Sequence, residues 1–345
     1  MSISSSPGTT ADPAGNPRGG AFPFLLVPLL AAAGVLYGCA LPGGAGDARS
    51  VFGEEPRSVE LTDVPYHPQE ALQCGPAALA EVLQYTGVDT SPAELRGGLF
   101  IPAREGTLQL EMLAQSRRHD RVPYPLTGHA EELIRELHAG NPVLVFQNLG
   151  LRIRPVWHYA VLIGYDADAE NLILRSGADK RRQRSLGFFL RTWDRADRWA
   201  VVVTAPDRLP ATAKPQPWLQ AAVALEETGR EAAAETAYRT GAGHWPQEAG
   251  FHLGLINLHY RAGALDAAEA AARHGIRNAG SDRGVLFNNL AIILADQARW
   301  DEAERAAAAA VREGGGFIEE FKATRARVAC RDEPGCPIAR PSADD

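Results

Sequence analysis

Residues 64–87 are VPYHPQEALQCGPAALAEVLQYTG, and this stretch decides the fold of the first half of the chain. Between Ala78 and Leu83 the apolar residues recur at the three- and four-residue spacing of an amphipathic helix. Pro76 suits the first helical turn, where its missing N–H is not needed, and Gly87 suits the end of the helix. The sequence therefore predicts a helix with Cys74 at its N-terminus.

A cysteine at a helix N-terminus is suited to act as a nucleophile. The thiolate is the reactive form, and the helix dipole together with a nearby imidazolium can lower a thiol pKa from about 8.5 to as little as about 3.5. We therefore expect Cys74 to be an activated thiol. The alternative is a small buried core residue at a helix start, since cysteine is often buried.

A histidine partner is expected downstream. Residues 141–148 (NPVLVFQN) and 156–165 (VWHYAVLIGY) both have the composition of buried strands, with turn residues between them. Alternation along the second strand places His158 on the face of its small neighbour Ala160. A histidine presented from a strand to a cysteine at a helix start is the pairing that general-base activation of a thiol requires. The alternative is a structural histidine of the sheet.

On these residues the sequence resembles the double-glycine leader peptidases that process bacteriocins, and more closely their stand-alone relatives joined to helical repeats in proteobacterial envelopes. The resemblance covers about residues 59–206 and is carried by Gln69, by CGPAA at 74–78 and by HYAVLIGYD at 158–166. It implies an α+β papain-like cysteine peptidase domain. We expect no cofactor and no metal. The resemblance also implies that Gln69 helps bind the oxyanion, with Gln73 as an alternative.

The third member of the expected triad departs from the family pattern. The family commonly orients its histidine with an aspartate on the next strand, but the equivalent stretch here is NLILRSG at 171–177, with Ser176 in that place. A serine can fix the imidazole tautomer, yet it cannot stabilise imidazolium by charge. Other candidates for this role are Asp166, Asp168, Asp179 and the amide of Asn148.

A basic run, KRRQR at 180–184, follows immediately. Such a run can recognise an acidic substrate or phosphate head groups, but it is more typical of a solvated hairpin tip, which we expect here. Residues 198–204 (RWAVVVT) then predict a closing strand.

The N-terminus has the pattern of a bacterial lipoprotein. Residues 21–37 are apolar and uncharged but short for a spanning helix, which predicts a signal peptide over residues 1–38. The residues before Cys39 resemble a lipobox, so Cys39 is the expected lipid site and residues 39–58 a lipid-attached linker. The lipid would hold the protein on the periplasmic face of the envelope, and Ala40 in place of aspartate favours the outer membrane. An uncleaved or simply secreted form is the alternative.

The second half of the chain carries a repeat. Similar segments begin at Gly229, Gly263 and Ala298, which are 34 and 35 residues apart. That period resembles tetratricopeptide repeats, all-α helical pairs that stack around a groove and bind a protein partner there. We expect a linker at 207–217, repeats at 218–328 and a tail at 329–345. The first helices of the pairs are predicted at residues 218–228, 251–262 and 286–297. His252 and His259 are too far apart on one helix for a shared metal site, so we expect them to be partly buried or to line the groove.

Bulk composition excludes two other classes. The net charge of −7 over 345 residues gives no basic face for nucleic acid, so no nucleic-acid partner is expected. Only four cysteines are present, which excludes a disulfide framework. Cys330 and Cys336 enclose a turn-like segment and are expected to form a small disulfide loop in an oxidising compartment.

The sequence thus predicts a lipid-anchored envelope cysteine peptidase that hydrolyses a peptide or protein substrate. Two alternatives stay open. One is a degenerate adaptor that binds partners through its repeats, and the other is acyl or peptidyl transfer by the same Cys74–His158 pair.

Overall fold

The structure is a computed structural model that describes residues 50–53, 57–68, 74–99 and 107–330. Within these ranges, no helix has the length and apolar composition needed to span a membrane. The predicted signal peptide, the lipid site Cys39, the oxyanion candidates Gln69 and Gln73, and Cys336 lie outside the described residues.

A mixed domain of strands and helices comes first in the chain, as the cysteine-bearing helix and the apolar runs predicted. Its strands are β1 (Ser58–Glu60), β2 (Val122–Pro125), β3 (Val143–Asn148), β4 (Trp157–Asp166), β5 (Asn171–Ser176), β6 (Asp179–Ser185) and β7 (Ala200–Thr204). Its helices are α1 (Cys74–Tyr85), α2 (Pro92–Leu99), α3 (Gln109–Arg118), α4 (Ala130–His138) and α5 (Leu186–Asp194).

The strands form one antiparallel sheet in the order β2-β7-β3-β4-β5-β6, and β1 pairs with the far end of β4. In the register of β3 and β4, Gln147 lies opposite His158. The register shifts between Leu174 and Ser176 where β5 pairs with β6. Both strands that flank β4 therefore bring a polar side chain to the neighbourhood of His158.

Each face of the sheet is covered by helices. On one face, Tyr159, Val161 and Ile163 pack with α1, α2 and α3. On the other face, Ala160 and Leu162 pack with α4 and α5. This alternation follows from the period of two in a strand, which sends successive side chains to opposite faces. It assigns His158 to the face opposite the one that α1 covers.

The second part of the chain is helical. Its helices are α6 (Pro215–Glu227), α7 (Glu231–His244), α8 (Ala249–Arg261), α9 (Leu265–Asn278), α10 (Arg283–Asp296), α11 (Trp300–Glu313) and α12 (Ile318–Ala329). The first helices of the three pairs begin 34 residues apart, at positions 215, 249 and 283, close to the predicted starts. The predicted fold class, an α+β papain-like domain followed by all-α tetratricopeptide-like helical repeats, is confirmed at this level.

The same backbone conformation recurs in the turn of each helix pair. Gly229, Gly263 and Ala298 all have positive φ, at 74°, 71° and 58°. Glycine adopts this left-handed region freely, whereas alanine pays a steric cost there. The third repeat therefore keeps the turn geometry of the first two at the expense of some strain.

The two parts are fastened together at the predicted linker. The buried carboxylate of Glu136 accepts hydrogen bonds from the N–H groups of Ala211 and Thr212, at 3.1 and 2.7 Å, and from the side chain of Asn141 at 2.7 Å. Tyr124 of β2 packs in one apolar cluster with Trp218 of α6. Because its N–H groups are satisfied by a buried acid, this connection is held in place rather than free to swing.

Candidate active site

Cys74 lies at the N-terminus of α1, as the sequence predicted. The backbone N–H groups of Tyr159, Gly75 and Cys74 itself reach its sulfur. Gly75 is required by crowding, since a Cβ at this position would lie 2.5 Å from Oγ1 of Thr107. The start of α1 therefore packs closely against Thr107, and the sulfur of Cys74 contacts the peptide group that joins His158 to Tyr159.

His158 is oriented by Ser176. Nε2 of the imidazole lies 2.8 Å from Oγ of Ser176 on the neighbouring strand. Of the alternatives, Asp168 pairs with Arg57, Asp179 pairs with Arg182, and the side chains of Asp166 and Asn148 accept backbone N–H groups. Ser176 therefore occupies Nε2, which leaves Nδ1 as the ring nitrogen available to a thiol.

The Cys74 thiol reaches β4 at Tyr159, the residue after His158, and lies on the other side of the sheet from the imidazole. Cys74 belongs to the helix that packs over Tyr159, whereas His158 projects to the opposite face. No hydrogen bond joins the two side chains, both of which are described, and the sulfur instead contacts the main chain one residue beyond His158. Catalytic hydrogen bonds are often long or misaligned before substrate binds.

The protonation states differ from the sequence expectation. Burial raises the pKa of the Cys74 thiol, although the three N–H groups at the sulfur act in the opposite direction. Burial, aided by the positive charge of Arg182, lowers the pKa of His158 to about 4. The expected low thiol pKa is therefore wrong for this structure, because desolvation outweighs the helix N-terminus. At neutral pH the pair is a neutral thiol and a neutral imidazole.

A buried polar network supports the segment before the cysteine, and the sequence analysis missed it. Glu81, two turns along α1 from Cys74, is fully buried and accepts the N–H of His67 at 2.9 Å. Burial raises the pKa of Glu81 to about 8, so its carboxyl is protonated at neutral pH. The guanidinium of Arg175, next to Ser176, donates to the carbonyls of Thr62 and Val64. The sequence did carry a signal for this network, because Glu81 lies among the apolar residues of α1.

The basic run is a strand rather than a hairpin tip. Residues 179–185 form β6, and Arg182 and Arg184 alternate onto the face that borders Ser176. Arg181 points the other way and pairs with Glu60 at 2.8 Å. The expectation of a solvated tip is therefore wrong for Arg182 and Arg184, because the tip of the hairpin falls before the run.

The two cysteines that the structure describes, Cys74 and Cys330, have different states. Cys74 is a free thiol, and Cys330 is disulfide-bonded. Since Cys336 lies outside the described residues, its pairing with Cys330 stays a prediction. The same holds for Gln69 as an oxyanion donor and for Cys39 as the lipid site.

A cysteine at a helix start and a histidine on the sheet are the side chains that a thiol peptidase uses, and one family model matches the region that holds them. The family model that matches the chain is the Peptidase_C39 like family, over residues 61–201. Among solved structures, a chain described as a C39-like peptidase from Bacillus anthracis is 20% identical. That match covers 43% of this chain and 98% of the other, with a TM-score of 0.37. The curated proteins gave no match. The family match supports a papain-like C39-type peptidase domain.

Proposed function

We propose that this protein is a cysteine peptidase that hydrolyses peptide bonds with Cys74 as nucleophile and His158 as general base and acid. The observation that carries the proposal is the placement of the Cys74 sulfur among N–H groups at the helix start, against the peptide that follows His158. Ser176 adds the orienting hydrogen bond on Nε2. Nucleophilic catalysis by a thiol requires a nucleophile, a base and a third group that orients the base, and Cys74, His158 and Ser176 would fill these three roles.

The chemistry runs through a thioester. Cys74 gives its proton to Nδ1 of His158 as the sulfur attacks the carbonyl carbon of the substrate, and the carbonyl π electrons move to oxygen. The N–H of Cys74, together with Gln69 in the role implied by the family, would hold this oxyanion. The amine leaves with the proton from His158. Water then gives a proton to His158 and attacks the thioester, which releases the new carboxyl group and restores the thiol.

An exposed apolar rim next to His158 favours a peptide substrate. Leu151, Ile153, Val156 and Trp157 lie just before His158, and Leu151 and Ile153 are 61% and 92% exposed. Exposed large apolar side chains that cluster beside a reactive group commonly mark a binding surface. An extended peptide with apolar residues would cover them while it crosses the site.

The location and partners belong to the same proposal. Lipid on Cys39 would place the enzyme at the periplasmic face of the bacterial envelope, on the outer membrane. The helical repeats would recruit a substrate or a partner protein to a domain that is fastened to them through Glu136. Mass spectrometry of a protease digest of the full-length protein tests the lipid directly, since the peptide that contains Cys39 should carry acyl groups.

A degenerate adaptor is the second candidate. Two observations favour it: the thiol and imidazole share no hydrogen bond, and a serine replaces the acid that commonly orients the histidine. In that case the repeats alone would carry the function, and the thiol would be inert.

Cleavage of a peptide library separates the two candidates. The full-length protein is incubated with a peptide mixture of random sequence, and new termini are identified by mass spectrometry. We expect cleavage by the wild type and no cleavage by Cys74→Ala or His158→Gln. The control is His129→Gln, an exposed histidine of the same domain that should behave as wild type. A wild type no more active than Cys74→Ala would establish the adaptor. Aminolysis products formed with an added amine would indicate acyl transfer.

A further inference from the structure

A cavity of about 230 Å³ lies directly behind the residue that orients His158. Ser176 forms part of the cavity wall and also bonds to the imidazole of His158. A side chain that enters the cavity is therefore separated from the imidazole only by Ser176. Leu149, Leu174 and Phe188 make its apolar surface, and Arg182 and Arg184 supply two positive charges. The position and the chemistry of this cavity are those of a specificity subsite.

The two arginines of the cavity differ in whether a carboxylate of the protein already pairs with them. Arg182 pairs with Asp179 at 3.1 Å. Arg184 lies over the ring of Phe188 at 5.5 Å and donates to the carbonyl of Gln183, and among the described residues no carboxylate pairs with it. A guanidinium stacked on an aromatic ring is fixed in orientation and keeps donors for an anion. Arg184 is therefore the residue best prepared to bind a carboxylate from outside.

A buried amide gives the cavity a second function. Nε2 of Gln147 donates to Oγ1 of Thr192 at 2.6 Å, and that hydroxyl donates onward to the carbonyl of Phe189 at 2.8 Å. Because the hydroxyl proton is committed to the carbonyl, the amide must present its N–H to Thr192. Oε1 of Gln147 is thus left as an acceptor, which suits the backbone N–H of a bound peptide.

From these features we propose that the cavity is a substrate subsite that binds an acidic side chain, glutamate above all, close to the scissile bond, with Arg184 as the specificity-determining residue. The apolar walls accommodate the methylene groups of glutamate, which a hydrated phosphate group would not use. The proposal rests on the proposed peptidase function. It adds a preference that the nucleophile and the histidine do not themselves impose.

Peptide libraries that vary one position at a time test this subsite. We expect the wild type to prefer glutamate at a single position near the cleaved bond, with kcat/KM about 10- to 100-fold above the glutamine twin. Arg184→Glu should shift the preference at that position to lysine or arginine. The matched control is Arg181→Glu, the same charge reversal on the opposite face of β6, which should leave the preference unchanged. A glutamate preference that survives Arg184→Glu, or none in an active wild type, overturns the proposal.

A binding measurement keeps the subsite testable if no peptide is cleaved. The Nε resonance of Arg184 is followed by NMR while an acetylated tripeptide amide with one central glutamate is added, and then its glutamine twin. A shift with the glutamate peptide alone, absent in Arg184→Gln, supports the subsite. Equal responses to both peptides overturn it. If the wild type binds the glutamate peptide but cleaves no peptide, the peptidase function is refuted and the subsite is not.

Discussion

Restoring the acid that the site lacks is the most informative perturbation. Ser176→Asp places a carboxylate beside Nε2 of His158, where Oγ now lies at 2.8 Å. At a separation of about 4 Å and an effective dielectric near 20, opposite charges attract by about 4 kcal/mol, a gross shift of roughly 3 pKa units. Desolvation of the carboxylate and the nearby Arg182 reduce this gain. We therefore expect the pKa of His158 to rise from about 4 by roughly 1–3 units.

Two measurements follow the change. The Cε1 proton of His158, titrated by NMR, reports the pKa directly. Alkylation of Cys74 by iodoacetamide at pH 6–7 reports the thiolate, which a more basic imidazole stabilises as an ion pair. We expect faster alkylation in Ser176→Asp than in the wild type, and a loss of about 5- to 10-fold in kcat/KM for Ser176→Ala, the value of one neutral hydrogen bond.

Ser176→Asn is the matched control, because it has the shape of the aspartate without its charge. A far-ultraviolet circular dichroism spectrum equal to that of the wild type shows that each variant folds. If the aspartate and asparagine variants show the same pKa for His158 and the same alkylation rate, a carboxylate at position 176 does not reach the imidazole, and the placement of residue 176 beside Nε2 is refuted.

Three further outcomes are expected. Alkylation of wild-type Cys74 should accelerate throughout pH 7–9, since burial raises the pKa of this thiol; a plateau across pH 5–8 would reveal a preformed ion pair. The stabilisation from protonated Glu81, whose pKa is about 8 when folded, is complete below about pH 4.5 and is lost as the pH rises through 8. Urea unfolding of the wild type should therefore weaken by about 2 kcal/mol between pH 6 and 8.5, a loss that Glu81→Gln abolishes. Ala298→Gly should stabilise the protein by about 0.5–1 kcal/mol in thermal unfolding, because it relieves a positive φ, while Ala295→Gly within α10 should cost about 1 kcal/mol.

The elements that the sequence predicted correctly carry their signal locally. The helix that starts at Cys74 has apolar residues at helical spacing with proline and glycine at its ends, and β4 around His158 is an apolar run between turns. The repeats were predicted from a period of 34 to 35 residues, which the helix starts reproduce. Ser176 was placed beside His158 by its position on the next strand, and the hydrogen bond agrees with that placement.

The features that sequence reasoning missed depend on tertiary contacts. Glu81 and Arg175 reach the same segment from elements about 90 residues apart, and local pattern says nothing of such a meeting. The sign of the pKa shift of Cys74 depends on how deeply the helix start is buried, which outweighed the dipole that the sequence did reveal. The direction of Arg182 and Arg184 depends on a register shift beside Ser176.

The unusual features of the site have a common physical consequence. Ser176 supplies no negative charge, and Arg182 adds a positive one, so the imidazolium that forms during attack by Cys74 is poorly stabilised in the free enzyme. A glutamate side chain bound at Arg184 would bring a carboxylate into the same cavity and offset the charge of Arg182. The substrate would then supply the electrostatic support that the triad lacks. In an enzyme of this kind, an acidic side chain increases kcat as well as lowering KM, since its charge acts on the transition state and not on binding alone.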